Sequence, residues 1–376
     1  MDYQICQKTI MDTSDLNISF NEMGESDYFT NFRDNIVPNW KFGNNQQAFL
    51  HKMAEKIKSV KTGNFDCILG ISGGLDSSYA AYVVKEIMGL RPLLYHVDAG
   101  WNTHIASKNI DNLVQGLNLD LVTDVINWEE MKDLQLSFLK SQIPDQDIPQ
   151  DAAFFSSLYR FARKYKIKYV ITGGNFSTEC CREPNDWGAY PGVDSRLIGN
   201  IHKQFGTKEL KKFPIMDILD YKILNRYMYG IKVFTPLNYT PFVKIEAERL
   251  LARKFKWTPF QHKHHESRFT RFYEDYWLPN KFGYDRRKVH FSSLILTGQM
   301  TREEALIRIS KPEMSQELLA VEFEYIADKL DLNRDQLMDI FNKPNKTAYD
   351  YPNKIRLIKI GSKMLRLFGK EKRLYR

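Results

Sequence analysis

Cysteine is scarce: four in 376 residues, at positions 6, 67, 180 and 181. Cys67 falls inside an apolar run and Cys180 and Cys181 adjoin, which excludes a disulfide framework and leaves reduced thiols as the expectation. No run of about 18 apolar residues occurs, so no conventional membrane-spanning helix is expected. The opening MDYQICQKTIMDTSD has neither the basic nor the apolar stretch of a signal peptide. A cytoplasmic protein is expected. The Gly-Lys-Ser or Gly-Lys-Thr ending of a Walker-type loop is absent, and a dinucleotide fingerprint fails because Ser77 stands where its third glycine would. Internal repeats and low-complexity segments are also missing.

Excess charge is missing from most of the chain. The formal charge is +8, yet residues 354–376 alone hold nine of the 54 Lys and Arg and one of the 46 Asp and Glu, so the remaining 353 residues balance. A protein that tracks a phosphate backbone spreads positive charge over a binding face, and no nucleic-acid partner is expected. Leu357, Ile360, Met364, Leu365 and Phe368 fall on one helical face, which makes the tail a basic amphipathic helix. The expectation is a terminal helix packed on its own domain, with a peripheral membrane contact or a partner protein as alternatives.

Strand-like runs at 65–71, 92–97, 120–125 and 168–174 alternate with helical periodicity at 75–89, 104–116 and 150–165. Such alternation predicts an α/β fold, a doubly wound, mostly parallel sheet that binds ligands at the C-terminal strand ends. A helix is expected at 45–59, a long functional loop with short helices at 180–221, and further helices at 244–256, 301–309, 314–330 and 333–341. The expected division is an N-terminal segment 1–60, a nucleotide-binding domain 61–240 and a helical substrate or partner domain 241–376.

The stretch CILGISGGLDSSYAAYVV, residues 67–84, passes from an apolar run through Ser72-Gly73-Gly74 into a helix. Two glycines leave no side chain between the amides and whatever sits above the helix N-terminus, where anions bind. The hydroxyls of Ser72, Ser77 and Ser78 add donors, and Asp76 can hold magnesium. HVDAGWN (96–102) and ITGGNFSTE (171–179) end two further strands at the same crevice. They offer Asp98, Gly173, Gly174 and Asn175 to a nucleotide and Asn102 and Glu179 to a substrate.

Ser72 to Ser78, SGGLDSS, resembles the PP-loop of the ATP pyrophosphatases. The resemblance implies that the turn grips the two outer phosphates of ATP, with Mg2+, while the α phosphorus passes to an acceptor oxygen. Together with VDAGWN, TGGNFSTE and the dense block KHHESRFTRFYEDYWLPNKFGYDRRKVHFSSLILTGQMTREEAL (263–305), residues 60–310 resemble the N-acetyl sugar amidotransferases of bacterial O-antigen synthesis. That resemblance implies conversion of an acetamido group on a UDP-linked sugar to an acetamidino group. Arg271, Lys281, Arg286, Arg287, Lys288 and Arg302 are candidate phosphate-binding cations, with Arg271 and Lys281 placed in the catalytic set. Glu266 and His265 are candidate acid/base groups, and His264, Ser267 and Thr270 candidate substrate contacts. His262 and Glu266 share a helical face but lack further metal ligands, so substrate contacts are preferred there.

Two departures from the family pattern matter. Where such proteins carry two Cys-x-x-Cys pairs, this chain has Cys6 with Thr9 and Ser26 with Phe29, and no zinc is expected. No cysteine sits in a glutaminase nucleophile setting, so ammonia is expected from a separate glutaminase subunit. Cys180 and Cys181 are expected to pack a loop. Two competing readings change the outcome. A tRNA-modifying PP-loop enzyme would stack bases on the aromatics at 269, 272, 273, 276 and 277, and a non-catalytic nucleotide-binding subunit would release no product.

Overall fold

Cys67–Gly70 (β1), Pro92–Asp98 (β2), Asp120–Val125 (β3), Tyr169–Ile171 (β4) and Lys232–Phe234 (β5) form one sheet in the order β3-β2-β1-β4-β5. Every neighbouring pair is parallel. This computed structural model describes residues 2–40, 45–187, 194–260 and 263–367. The first four strands lie where the apolar runs place them. β5 has no counterpart in the sequence reading, because only Phe234 of its three residues is buried. The chain grows outward from β1 to β3 and then returns to the other side of β1. The crevice between the ends of β1 and β4 is therefore the topological switch point, the usual ligand position in such sheets.

The helices follow from local signals. α1 (Asn45–Ser59) precedes the sheet, and α2 (Leu75–Tyr82) starts directly from the glycine turn, with one wider turn, Val83–Ile87, continuing it. α3 (His104–Leu117) is capped by Thr103, whose side chain accepts from the Ala106 amide, and stops at Asn118 in a left-handed conformation. α4 (Trp128–Ser141) is capped in the same way by Asn127; its many buried polar residues hide it from a simple apolar pattern. α5 (Ile148–Lys164) leads into β4. Within the expected loop with short helices, α6 (Ser195–Phe205), capped by Asp194, runs for 11 residues. Alternate residues of β1 serve opposite faces: Ile68 joins one core, and Cys67, Leu69 and Ile71 join the other.

Packing is continuous across residue 241. α7 (Lys244–Phe255) puts Ala247, Leu251 and Phe255 into the core that holds Leu69. α8 (Arg268–Phe272), α11 (Gln316–Lys329) and α12 (Arg334–Phe341) join the core on the opposite face, through Phe269, Phe323 and Leu337. Between them, α9 (Arg287–Leu296) and α10 (Arg302–Ile309) build a small core with Ile10 of the N-terminal segment.

Ordinary packing holds that N-terminal segment. Cys6, Thr9 and Ser26 are buried, and Cys6 Sγ accepts the amides of Lys8 at 3.4 Å and Ser26 at 3.3 Å. Arg182 is the main tie: it reaches Asp15 at 3.2 Å and Asp27 at 2.5 Å, and lies over the Tyr28 ring at 4.2 Å. Cys180 and Cys181 are buried in the same cluster as Met11, Tyr28 and Trp187. The neighbouring Cys180 and burial push the Cys181 thiol well above its ordinary value, and a buried neutral thiol is unreactive.

The terminal helix differs from expectation. α13 (Ile355–Leu367) buries Ile355 but leaves Leu357 64 % and Ile360 57 % exposed. Its apolar side does not pack on the chain at these positions; Phe368 lies outside the described residues.

Candidate active site

The turn Ser72-Gly73-Gly74 is held from below and knit within itself. Gly73 has φ +81°, and a methyl there would lie 2.4 Å from the Ala106 carbonyl oxygen, so only glycine fits. Its own carbonyl accepts from Asn109 Nδ2 at 3.2 Å and from Trp257 Nε1 at 3.1 Å. Ser72 Oγ lies 3.2 Å from Ser77 Oγ and accepts the Gly74 amide at 3.3 Å. From the end of β4, Gly173 presses on the start of α2, where a Cβ would come within 2.6 Å of the Asp76 backbone. Gly174 beside it is partly exposed.

The block after residue 263 closes directly over this turn. The Thr103 amide donates to the Glu266 carbonyl at 2.9 Å, the Arg268 amide donates to the Trp101 carbonyl at 2.9 Å, and Asn102 and Ser267 form a bridge. His264, with φ +63°, takes the left-handed conformation that reverses the chain here. Glu266 Oε1 accepts from Ser72 Oγ at 3.2 Å. Lys263 Nζ reaches Asp76 Oδ2 at 3.3 Å and Glu179 Oε1 at 2.5 Å.

A polar ladder continues from that lysine. His264 Nδ1 lies 3.1 Å from Glu274 Oε1, Arg286 reaches the same oxygen at 2.9 Å, and its other edge meets Glu183 at 2.6 Å. Burial raises the Asp76 carboxyl; Lys263 pulls it back and Glu179 pushes it up again, leaving it above the ordinary range. Burial opposes the charged His264 imidazole, but Glu274 outweighs it and holds His264 up at about 9. Burial, with the Lys263 and Lys244 cations, pushes His290 well below its ordinary value, so it stays neutral. A neutral imidazole thus stands near cations that are each held by carboxylates.

Asp76 and Glu179 are the pair that fits magnesium. Among the described residues no group of three or more His, Cys, Asp or Glu is placed to hold a metal. Magnesium that arrives with a nucleotide needs only one or two carboxylates, the phosphates and water supplying the rest. Two hard oxygens that share an ammonium suit that role.

Several expected contacts lie elsewhere. Ser78 is buried beneath the turn, its Oγ 3.1 Å from Trp257 Nε1. Asn175 is buried as the cap of Phe176–Glu179, accepting from Thr178 and donating to the Gly173 carbonyl. Asp98 Oδ1 holds the Gly100 amide and Asn102 Nδ2, shaping the end of β2. Arg271 and Arg268 both pair with Glu322, which is buried. Lys281 donates to the carbonyls of Phe341 and Lys343 at the end of α12. Arg287 is taken up by Asp285 and Glu313, Arg302 Nε by the Cys6 and Thr9 carbonyls, and Lys288 by Asp12. In each case a closer carboxylate or carbonyl engages the cation. His265 pairs with Asp275. Ser267 caps α8 and, with Thr270, joins Gln150 and Asp147 in one hydrogen-bonded patch. His262 is outside the described residues. Phe269, Phe272, Tyr273 and Trp277 are buried core residues, so they cannot stack RNA bases.

Lys263, Glu274, Glu183 and His290 escape the sequence reading. Lys263 has one signal, a cation three residues before Glu266; the others are ordinary charges until folding joins them.

Residues 266–365 match the family model described as LPS biosynthesis protein WbpG-like, C-terminal domain. An uncharacterised protein of Methanocaldococcus jannaschii is 24% identical over 187 residues, covering 48% of this chain and 63% of that protein. One of the subunits of the glutamine-hydrolyzing GMP synthase of Sulfurisphaera tokodaii is 24% identical over 132 residues, covering 34% of this chain and 33% of that protein. Its Methanosarcina barkeri counterpart is 30% identical over 131 residues, covering 34% and 40%. The chain thus spans less than two thirds of the length of these relatives. Among solved structures, NMN synthetase from Francisella tularensis superposes with a TM-score of 0.35 at 14% identity, covering 81% of this chain and 99% of that one. The U34-tRNA thiolase from Methanococcus maripaludis gives 0.33 at 16%, covering 71% and 82%. The similarity to the WbpG-like proteins of lipopolysaccharide biosynthesis thus lies in the block from residue 266 onward, which packs against the glycine turn at Ser72.

Proposed function

We propose that this protein is an ATP-dependent C–N ligase that converts an acetamido group of a UDP-linked sugar to an acetamidino group. The observation that carries the reading is the meeting of two parts of the sequence: Glu266, where the family match begins, and Lys263 just before it touch Ser72 of the glycine turn and Asp76 at the start of α2. Nucleotide and acceptor would share one cleft.

An amide carbonyl is a poor electrophile. Its oxygen attacks the α phosphorus of ATP, the bond to the β-phosphate oxygen breaks, and pyrophosphate leaves as the amide proton is lost. Ammonia then adds to the activated carbon and AMP departs with the former carbonyl oxygen. The turn and the N-terminus of α2 receive the outer phosphates. Lys263 sets a positive charge where negative charge accumulates. Magnesium, held by Asp76 and Glu179, would add Lewis acidity at the phosphates. Glu266, beside the turn, accepts the proton that the added ammonia sheds. His264 and Arg286 continue the polar ladder from Lys263, and a diphosphate-linked acceptor would compete there with Glu274 and Glu183 for the two cations.

The test supplies the purified chain with ATP, Mg2+, an ammonium salt and a panel of UDP-linked acetamido sugars. AMP, pyrophosphate and a product about one mass unit lighter than its substrate are expected, because NH replaces O. ADP and orthophosphate, or no mass change with any acetamido sugar, would overturn the reading. Ammonium salts are expected to work and glutamine alone to fail, since nitrogen would come from a separate glutaminase.

A further inference from the structure

We propose that α13 is an interfacial helix that seats the enzyme on an anionic lipid surface. The helix departs from the body of the protein at a fixed root: Ile355 is buried, the Lys354 amide donates to Asp194 Oδ2 at 2.6 Å, and the Lys354 ammonium pairs with Asp217. Beyond that root its character changes. Leu357 and Ile360, one turn apart and on the same side, are 64 % and 57 % exposed. Arg356, Lys359 and Lys363 are exposed around them. Tyr349 is 64 % exposed and lies against the same helix, its hydroxyl 2.8 Å from Lys359 Nζ.

Three observations favour lipid over a protein partner. The segment 354–376 carries the whole +8 of the chain, which matches an anionic surface in sign and in lack of shape. A solvent-facing apolar pair bordered by lysine and arginine, with a tyrosine at the edge, is the composition of helices that lie in the headgroup layer. Leu357 and Ile360 are exposed and so occupy no groove of this protein, and a flat bilayer requires none. Among the described residues no helix is long and apolar enough to cross a membrane, so α13 would lie on the surface. None of the residues assigned to the proposed reaction lies on α13, so this role does not depend on that reading.

The experiment is flotation of the full chain with vesicles of phosphatidylethanolamine and phosphatidylglycerol, against vesicles of phosphatidylcholine alone. Retention on the anionic vesicles, release by about 0.5 M salt and little retention on phosphatidylcholine are expected. Leu357→Glu with Ile360→Glu should abolish retention. Arg356→Gln, Lys359→Gln and Lys363→Gln together should weaken it about 100-fold, at about fivefold per removed cation. Thermal midpoints of both variants should match the parent, since the side chains are exposed. No retention on anionic vesicles, equal retention on both compositions, or retention that ignores the substitutions would overturn the proposal. So would a vesicle-free dimer, seen by light scattering, that Leu357→Glu with Ile360→Glu dissolves, because a second copy would then cover the face.

Discussion

Glu266 Oε1 stands 3.2 Å from Ser72 Oγ, and a methyl on Gly74 would come within 2.7 Å of that same carboxylate oxygen. Gly73 is crowded differently, by the Ala106 backbone at 2.4 Å and a φ of +81°. Gly74→Ala should therefore fold normally, because a carboxylate end can swing aside, yet lose activity as Glu266 is displaced. Gly73→Ala should lose about 1–3 kcal/mol of stability and ATP binding with it. Denaturant melts and nucleotide titration of the two variants distinguish these outcomes.

Lys263 lies between Asp76 and Glu179, and all three groups are at most partly exposed. Lys263→Met should lower the rate of pyrophosphate release about 10²- to 10³-fold, the usual cost of removing one preorganised charge-stabilising group. Lys263→Arg should recover little, since a planar fork does not replace a compact ammonium between two carboxylates. Steady-state assays at saturating ATP check both.

His264 is held up at about 9 because Glu274 outweighs the cost of burial, whereas an ordinary histidine titrates near 6.5, about 2.5 units lower. A raised folded-state value means that the pair stabilises fully below about pH 6.5 and that the contribution is lost as pH rises through about 9. The imidazole is partly exposed, so the effect is small. The melting temperature should fall about 1–3 °C between pH 6.5 and 9.5, and His264→Gln should flatten that slope.

Arg182 neutralises Asp15, which is fully buried, while stacking over Tyr28. Arg182→Ala leaves that carboxylate without its cation and should cost about 2–4 kcal/mol. The N-terminal segment should then be cut first in limited proteolysis. A chelator should leave the parent melting curve unchanged, because Thr9, Ser26 and Phe29 cannot replace thiolates as tight zinc ligands.

The parallel sheet and the glycine turn are legible in the sequence because buried parallel strands read as short apolar runs and the turn needs glycine locally. α4 is not, since Glu130, Asp133, Gln135 and Ser137 are buried polar residues on a helix that periodicity treats as exposed. The cations of 263–305 are legible as a set but not individually. Spacing cannot say that Lys281 ends on two carbonyls and Arg271 on Glu322 while Lys263 reaches Asp76. Such pairings join residues far apart in the chain, and nothing local records them. The exposed face of α13 looks like a packing face in the sequence for the same reason: an amphipathic pattern shows which side is apolar and not what covers it.

The carbonyl of Gly73 is caught from two directions, by Asn109 on α3 and by Trp257 just past α7, and the amide of the same peptide unit is caught by Ser72 Oγ. That peptide plane cannot rotate. The floor of the turn is thus rigid in itself, and under the proposed reaction the outer phosphates would meet a seat already built. Above it a carboxylate end, Glu266, rests on the serine through one side-chain hydrogen bond, and such a contact gives way more easily than the backbone floor beneath it.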